Sequence, residues 1–192
     1  KYYASEIEQH PIAITQYNFP DTIQLGDINN WREWDIDWNS IDIVIGGSPC
    51  QGLTFAGKKL QLEDPRSKLF FVYIDILNHL RNINPDIKFF LENVKMNSES
   101  EAKFNELTGY SPYKVNSNLV SAQNRQRNYW TNIKGFNMPK DRNKLVKDVI
   151  RQEDNDKYHL SVKHLQAFHK SYNWKSTSVD GKSPTLMASY YK

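Results

Sequence analysis

Apolar residues come in short runs along the first 133 positions, interrupted by one clear helical stripe. Tyr2-Tyr3-Ala4-Ser5-Glu6-Ile7 predicts a short strand ending in an acid. Pro11 to Phe19 predicts a short helix, with Pro11 tolerated in its first turn. Thr22 to Ile28 predicts a second strand. Ile41-Asp42-Ile43-Val44-Ile45 is β-branched and nearly all apolar, the pattern of a buried parallel strand. From Arg66 to Ile83 the apolar positions Leu69, Tyr73, Ile76, Leu77, Leu80 and Ile83 recur at helical spacing. Lys88 to Val94 is a fourth strand, Phe104 to Leu107 a short helical stretch before Gly109, and Tyr113 to Val120 and Arg127 to Ile133 further strands. Beyond Ile133 the character changes: Lys144 to Ile150 and Ser161 to Tyr172 predict two helices, the second with Ser161 as N-cap.

Strands alternating with helices predict an α/β fold with a Rossmann-like, doubly wound, mostly parallel sheet. Ligands of such sheets bind beyond the carboxyl ends of the strands. Glu6, Asp27, Cys50 and Glu92 all fall at predicted strand ends. Composition narrows the classes. No apolar run reaches the ~18 residues of a membrane span, and the first residues lack the apolar stretch of a signal peptide, so a cytoplasmic protein with no membrane partner is expected. Cys50 is the only cysteine, which excludes an internal disulfide and multi-thiolate zinc sites, and no metal is expected. Positive charge is uneven: Lys134 to Lys175 holds ten Lys/Arg against five Asp/Glu. A basic segment on a near-neutral body suits a polyanion, or is simply a solvated Lys-rich surface.

Four motifs carry candidate chemistry. Gly46-Gly47-Ser48-Pro49-Cys50-Gln51-Gly52 follows the β-branched strand. Its glycines allow close backbone approach, and Pro49 stiffens the turn and pushes Ser48 toward extended geometry. A thiol placed there is a candidate nucleophile if neighbours favour the thiolate, or else a buried structural cysteine. Gly52 to Lys59 nearly matches a phosphate-binding loop, but Lys59 stands where Ser or Thr must hold Mg²⁺, and Asp64-Pro65 follows where a helix should. Leu91-Glu92-Asn93-Val94 ends an apolar strand with a carboxyl group expected to be partly desolvated. That makes it a candidate proton donor, or else an ordinary acid at a loop start. Gln123-Asn124-Arg125-Gln126-Arg127 sets two guanidinium groups on one face of an extended chain, suited to a phosphate or a base oxygen.

Taken in order, these segments resemble the DNA (cytosine-5)-methyltransferase family, in a small bacterial or phage-type member. Gly46 to Gln51 resembles its proline-cysteine loop, Leu91 to Val94 its Glu-Asn-Val strand end, and Gln123, Arg125 and Arg127 its Gln-x-Arg-x-Arg motif. Glu6 and Gly26-Asp27-Ile28 resemble its two cofactor-edge acids. Gly181-Lys182-Ser183-Pro184-Thr185 resembles the motif after target recognition, with Lys182 where Arg is usual.

The resemblance implies a methyltransferase fold that takes S-adenosylmethionine as cofactor and double-stranded DNA as partner, with a cognate restriction endonuclease as a further partner. Cys50 would add to C6 of a flipped-out cytosine and Glu92 would steady the ring. Arg127 would contact the base oxygen and Arg125 would support the loop or a phosphate. Glu6 would bond the cofactor ribose and Asp27 its adenine amino group, with Ile28 on the ring and Ile7 and Pro49 beside them. Ser48, Gln51, Gly52, Lys58, Asn93 and Gln123 would line the substrate side, and the Gln51 to Leu62 loop would close on the DNA. The implied division is a catalytic core over 1–133, target recognition over 134–180 and the post-recognition motif from 181 to 192. Methylation of tRNA is the neighbouring alternative, although that branch typically has Pro in place of Ser48. A DNA-binding module without catalysis is the other. The family's opening Phe-x-Gly-x-Gly loop has no counterpart, since no Gly-x-Gly occurs, and its final motif and closing helix are expected past Lys192. The chain is therefore expected to be an internal piece of such an enzyme, weakly active or inactive by itself.

Overall fold

The computed structural model describes residues 1–48, 68–150 and 178–184. Six strands and three α-helices are described: β1 (Tyr3–Ala4), α1 (Gln9–Asn18), β2 (Ile23–Gln24), β3 (Ile43–Gly47), α2 (Lys68–Ile83), β4 (Lys88–Val94), α3 (Ser98–Thr108), β5 (Tyr113–Asn116) and β6 (Gln126–Thr131). The chain divides into two compact units. The first comprises Lys1–Lys114 and Arg127–Phe136, and the second Val115–Gln126 and Asn137–Lys192.

Strands β1 and β2 form a parallel pair, and the other four form a sheet in the order β3-β4-β6-β5. β3 runs parallel to β4, and β6 antiparallel to it. The sheet is thus mixed where a mostly parallel one was expected. β4 occupies the span predicted for it, and its alternation explains its place. Phe89, Leu91 and Asn93 point into the core, while Phe90, Glu92 and Val94 lie half-buried on the other face. Trp130, opposite Leu91 on β6, is fully buried on the core face.

Helix α2 covers that face. It buries Phe70, Tyr73, Ile74, Ile76, Leu77 and Leu80, a wider stripe than the predicted one because Phe70 and Ile74 also turn inward. Each such side chain contributes roughly 1.5–3 kcal/mol on full burial. Helix α3 packs beside it, with Phe104 stacked on Phe70 at 3.6 Å between ring centroids and tilted against Trp130 at 5.0 Å. Asn97 caps α3 by accepting from Ser100 N. The Trp130 indole Nε1 donates to Asn105 Oδ1 at 2.7 Å, which fixes α3 to β6.

Four expectations need correction. β1 and β2 are two residues each, because the chain turns after Ser5 and again at Gly26-Asp27, where side chains take over the hydrogen bonding. β3 is parallel but only half-covered: Ile43 and Ile45 are 43% and 63% exposed, since β3 has one strand neighbour among the described residues and α2 covers only its Val44–Gly46 side. The extended run from Tyr113 stops at Asn116, whose Oδ1 accepts from Asn118 N and starts a 3₁₀ turn over Ser117–Leu119. Of the helix predicted over Lys144 to Ile150 only a 3₁₀ turn, Val146–Asp148, forms. Val149 and Ile150 remain largely exposed, so no buried face offsets helix nucleation. The helix predicted over Ser161 to Tyr172 lies outside the described residues. Among the described residues no helix is long and apolar enough to cross a membrane.

Candidate active site and cofactor cavity

Parallel pairing of β1 with β2 brings two acids to the same end. Ile23 N donates to Tyr2 O, Leu25 N to Ala4 O, and Ser5 Oγ to Gly26 O at 2.7 Å. The next residues are Glu6 and Asp27. Each spends one carboxylate oxygen on its own turn. Glu6 Oε1 accepts from the backbone N–H groups of Ile7 and Glu8 at 2.8 and 2.9 Å. Asp27 Oδ1 accepts from Asn29 N and Nδ2 and caps the 3₁₀ turn that begins at Ile28. The second oxygen of each makes no hydrogen bond among the described residues.

Both acids, with Ile7 and Ile28, line a cavity of about 700 Å³ that runs along the open side of β3 to Ser48. Two carboxylates with an acceptor to spare beside apolar side chains fit a ligand that offers hydroxyl and amino donors on a flat apolar ring. That donor set suits S-adenosylmethionine. Trp34 also lines the cavity, and its indole Nε1 is buried without a hydrogen-bond partner. Trp34 is not among the expected site residues, although three tryptophans within eight residues, Trp31, Trp34 and Trp38, mark the segment.

Glu92 lies inside β4, opposite Gly47 on β3 and Tyr129 on β6. Its Oε1 meets the Arg127 guanidinium Nε at 2.7 Å, with the two side chains 34% and 15% exposed. Arg127 sits opposite Val94, two residues from Tyr129, so acid and guanidinium meet diagonally on one face of the antiparallel pair. Gly47 leaves room for this carboxylate, because a Cβ there would lie 3.3 Å from Glu92 Oε2. Asn93 turns to the opposite, buried face. Its Nδ2 donates to Ser48 Oγ at 2.9 Å and reaches Ser48 O at 3.4 Å. The end of β4 therefore holds the residue that leads into Pro49. The expected site residues Pro49, Cys50, Gln51, Gly52 and Lys58 lie outside the described residues.

Gln123 and Arg125 belong to the second unit, whereas Arg127 belongs to the first. Arg125 is exposed and precedes β6. Its N–H donates to Asn116 Oδ1 at 3.0 Å and its carbonyl accepts from Ser117 N at 3.1 Å. Gln123 pairs with Ser183 in a parallel bridge, and its carbonyl accepts from Ser117 Oγ at 2.7 Å.

The chain is 31% identical to the type II methyltransferase M1.ScrFI of Lactococcus lactis subsp. cremoris over 99% of its own length and 55% of that protein. It is 30% identical to M.HpaII of Haemophilus parainfluenzae over 88% of this chain and 52% of that one. A stretch covering 48% of the chain is 39% identical to M.NlaIV of Neisseria lactamica. The chain thus spans about half the length, or less, of these relatives. Among solved structures it matches a chain described as a DNA modification methyltransferase encoded within an Escherichia coli prophage. That match has a TM-score of 0.56 at 25% identity and covers 77% of this chain and 47% of the other. The fold is therefore that of a DNA methyltransferase, built on mixed α/β sheets. The family model of the C-5 cytosine-specific DNA methylases matches residues 1–191. On that match, and on an acid-arginine pair set beside the strand that leads to Cys50, the chain belongs to the C-5 cytosine-specific DNA methylase family.

Proposed function

We propose that the protein of which this chain is part methylates C5 of cytosine in double-stranded DNA. The observation that carries the reading is the Glu92–Arg127 pair, held on β4 beside the end of β3. C5 of cytosine is a weak nucleophile. Addition of the Cys50 thiolate at C6 forms a C6–S bond and pushes the electron pair toward C5. Glu92 faces the ring nitrogen and amino group and steadies the charge that develops there. Arg127 orients Glu92 through its ion pair and contacts the base oxygen in this reading. Glu6 and Asp27, with Ile7, Ile28 and Pro49 around them, would hold S-adenosylmethionine, whose sulfonium would give its methyl group to the C5 electron pair and leave as the neutral thioether S-adenosylhomocysteine. Departure of the C5 proton to a base and of the Cys50 thiolate restores the aromatic ring.

Cytosine inside a duplex cannot reach these groups, so the base must leave the stack at a cost of roughly a few kcal/mol. Ser48, Gln51, Gly52 and Lys58 line the substrate side in this reading, and Gln123 and Arg125 are further DNA contacts; Asn93, expected there too, is buried on the opposite face of β4 and acts only by holding Ser48. A restriction endonuclease of matching specificity belongs to this reading too, since the relatives are type II methyltransferases. The test is methyl transfer to duplex DNA by the full-length protein and its Cys50→Ser variant. Loss of transfer by at least about a thousandfold, with DNA affinity retained, is expected for a missing nucleophile. Transfer that survives the substitution overturns the mechanism.

A further inference from the structure

In the second unit, Gly181 to Pro184 runs beside the backbone of the Gln-x-Arg segment. Ser183 N donates to Ala122 O and Asn124 N donates to Ser183 O, each at 2.7 Å. Between these strand-like contacts Lys182 extends under the preceding turn, with its side chain only 17% exposed. Its Nζ donates to Asn118 O, reaches Ser121 O at 3.5 Å and meets Asp141 Oδ1 at 3.3 Å. Asn118 belongs to the Ser117–Leu119 3₁₀ turn. The carbonyls at the end of such a turn have no partner within it and favour a cation.

Asp141 completes the knot. Its Oδ1 also accepts from Asn143 N at 2.7 Å, and Arg142 N donates to Leu119 O at 2.7 Å. The Asn143 N–H, and then the Lys182 ammonium, hold the Asp141 carboxyl below the usual carboxylate range. Three separate segments, 117–121, 141–143 and 181–183, thus meet at one ammonium group.

We infer that Lys182 is a positioning residue: by clamping the Ser117–Ser121 turn it sets the backbone that presents Gln123 and Arg125 to DNA. The turn is the template for both. Ser117 holds the Arg125 carbonyl through its N–H and the Gln123 carbonyl through its hydroxyl. Lys182 touches neither side chain and acts only through the turn. Without its charge, the Asn118 and Ser121 carbonyls lose their side-chain donor and the exposed Asp141 carboxylate loses its ion pair, so nothing ties the turn to the other two segments through this position. This inference rests on the reading of Gln123 and Arg125 as DNA contacts.

The experiment compares Lys182→Met, Lys182→Gln, Lys182→Arg and Arg125→Gln in the full-length protein. Two quantities are measured: amide hydrogen exchange, and binding of a short duplex DNA by fluorescence anisotropy. In Lys182→Met the Asn124 and Arg125 amides are expected to exchange about tenfold faster, with Leu91 of β4 unchanged as the check on folding. Duplex affinity should fall about fivefold, and Lys182→Arg should restore both. If β4 also loses protection in the Met variant, Lys182→Gln decides, with the same local effect expected. Unchanged exchange at Asn124 and Arg125, or failure of Arg to restore it, overturns the clamp. Faster exchange with unchanged affinity, while Arg125→Gln does weaken binding, overturns its role in presentation. Arg125→Gln binding as tightly as the parent sinks the DNA-contact reading instead, and with it the presentation of that residue.

Discussion

A methyl group at position 46 would sit 2.6 Å from Cδ2 and 2.7 Å from Cε2 of Tyr73. The Tyr73 ring is 5% exposed, seated in the core and joined to Phe90 O through its hydroxyl. The ring is seated against the β3 backbone on one side and borders the cavity on another, so Gly46→Ala should push it and destabilise the fold by about 1–3 kcal/mol, the usual cost of overpacking. The midpoint of urea denaturation would show it. The same ring carries a pH signature. Burial pushes the Tyr73 hydroxyl up, with Arg81 offsetting it slightly. The folded state therefore holds this proton more tightly than the unfolded chain, whose tyrosines titrate near pH 10. Stability is unaffected below that pH and falls as pH rises above it, by up to about 1.4 kcal/mol per pH unit. Tyr73→Phe is expected to flatten that alkaline slope in denaturation curves measured between pH 8 and about 11.

Among the elements, those that bury a complete stripe were legible in the sequence. The stripe from Leu69 to Ile83 became α2, and Lys88 to Val94 became β4, because each has neighbours that repay its regular pattern. Elements that depend on side-chain capping were not legible. Asp27, Asp37 and Asn116 each start a 3₁₀ turn by accepting a backbone N–H two residues on. Such local bonds compete with the strand that hydropathy alone suggests. The site divides in the same way. Glu6 and Asp27 could be placed just past strand ends, whereas Glu92, expected at one, lies inside β4, and Asn93 on Ser48, Gly47 beside Glu92 and Lys182 under its turn are contacts between distant segments that spacing does not encode. Strand β6 tests the packing argument directly. Trp130 is fully buried between Phe104 and the sheet, and its indole N–H is bonded to Asn105. Trp130→Ala should cost about 3–5 kcal/mol, read as an equal loss at β4 and α3 by hydrogen exchange.

For the molecule as a whole, neither unit is a continuous stretch of chain. The first closes only when Arg127–Phe136 returns to residues from the Lys1–Lys114 segment. β6 is an interior strand of its sheet, flanked by β4 and β5. A fragment ending at Lys114 would lack β6 and leave the inner edge of β4 unpaired. It is expected to unfold without a cooperative transition in urea, whereas the 192-residue chain should show one.

The diagonal between Glu92 and Arg127 also constrains how the gene can change length. Side chains alternate faces along β6, so one codon gained or lost between Arg127 and Tyr129 would turn the guanidinium to the opposite side of the sheet from the acid. Indels between related enzymes should therefore collect before Gln126 or after Thr131 and spare the six residues between.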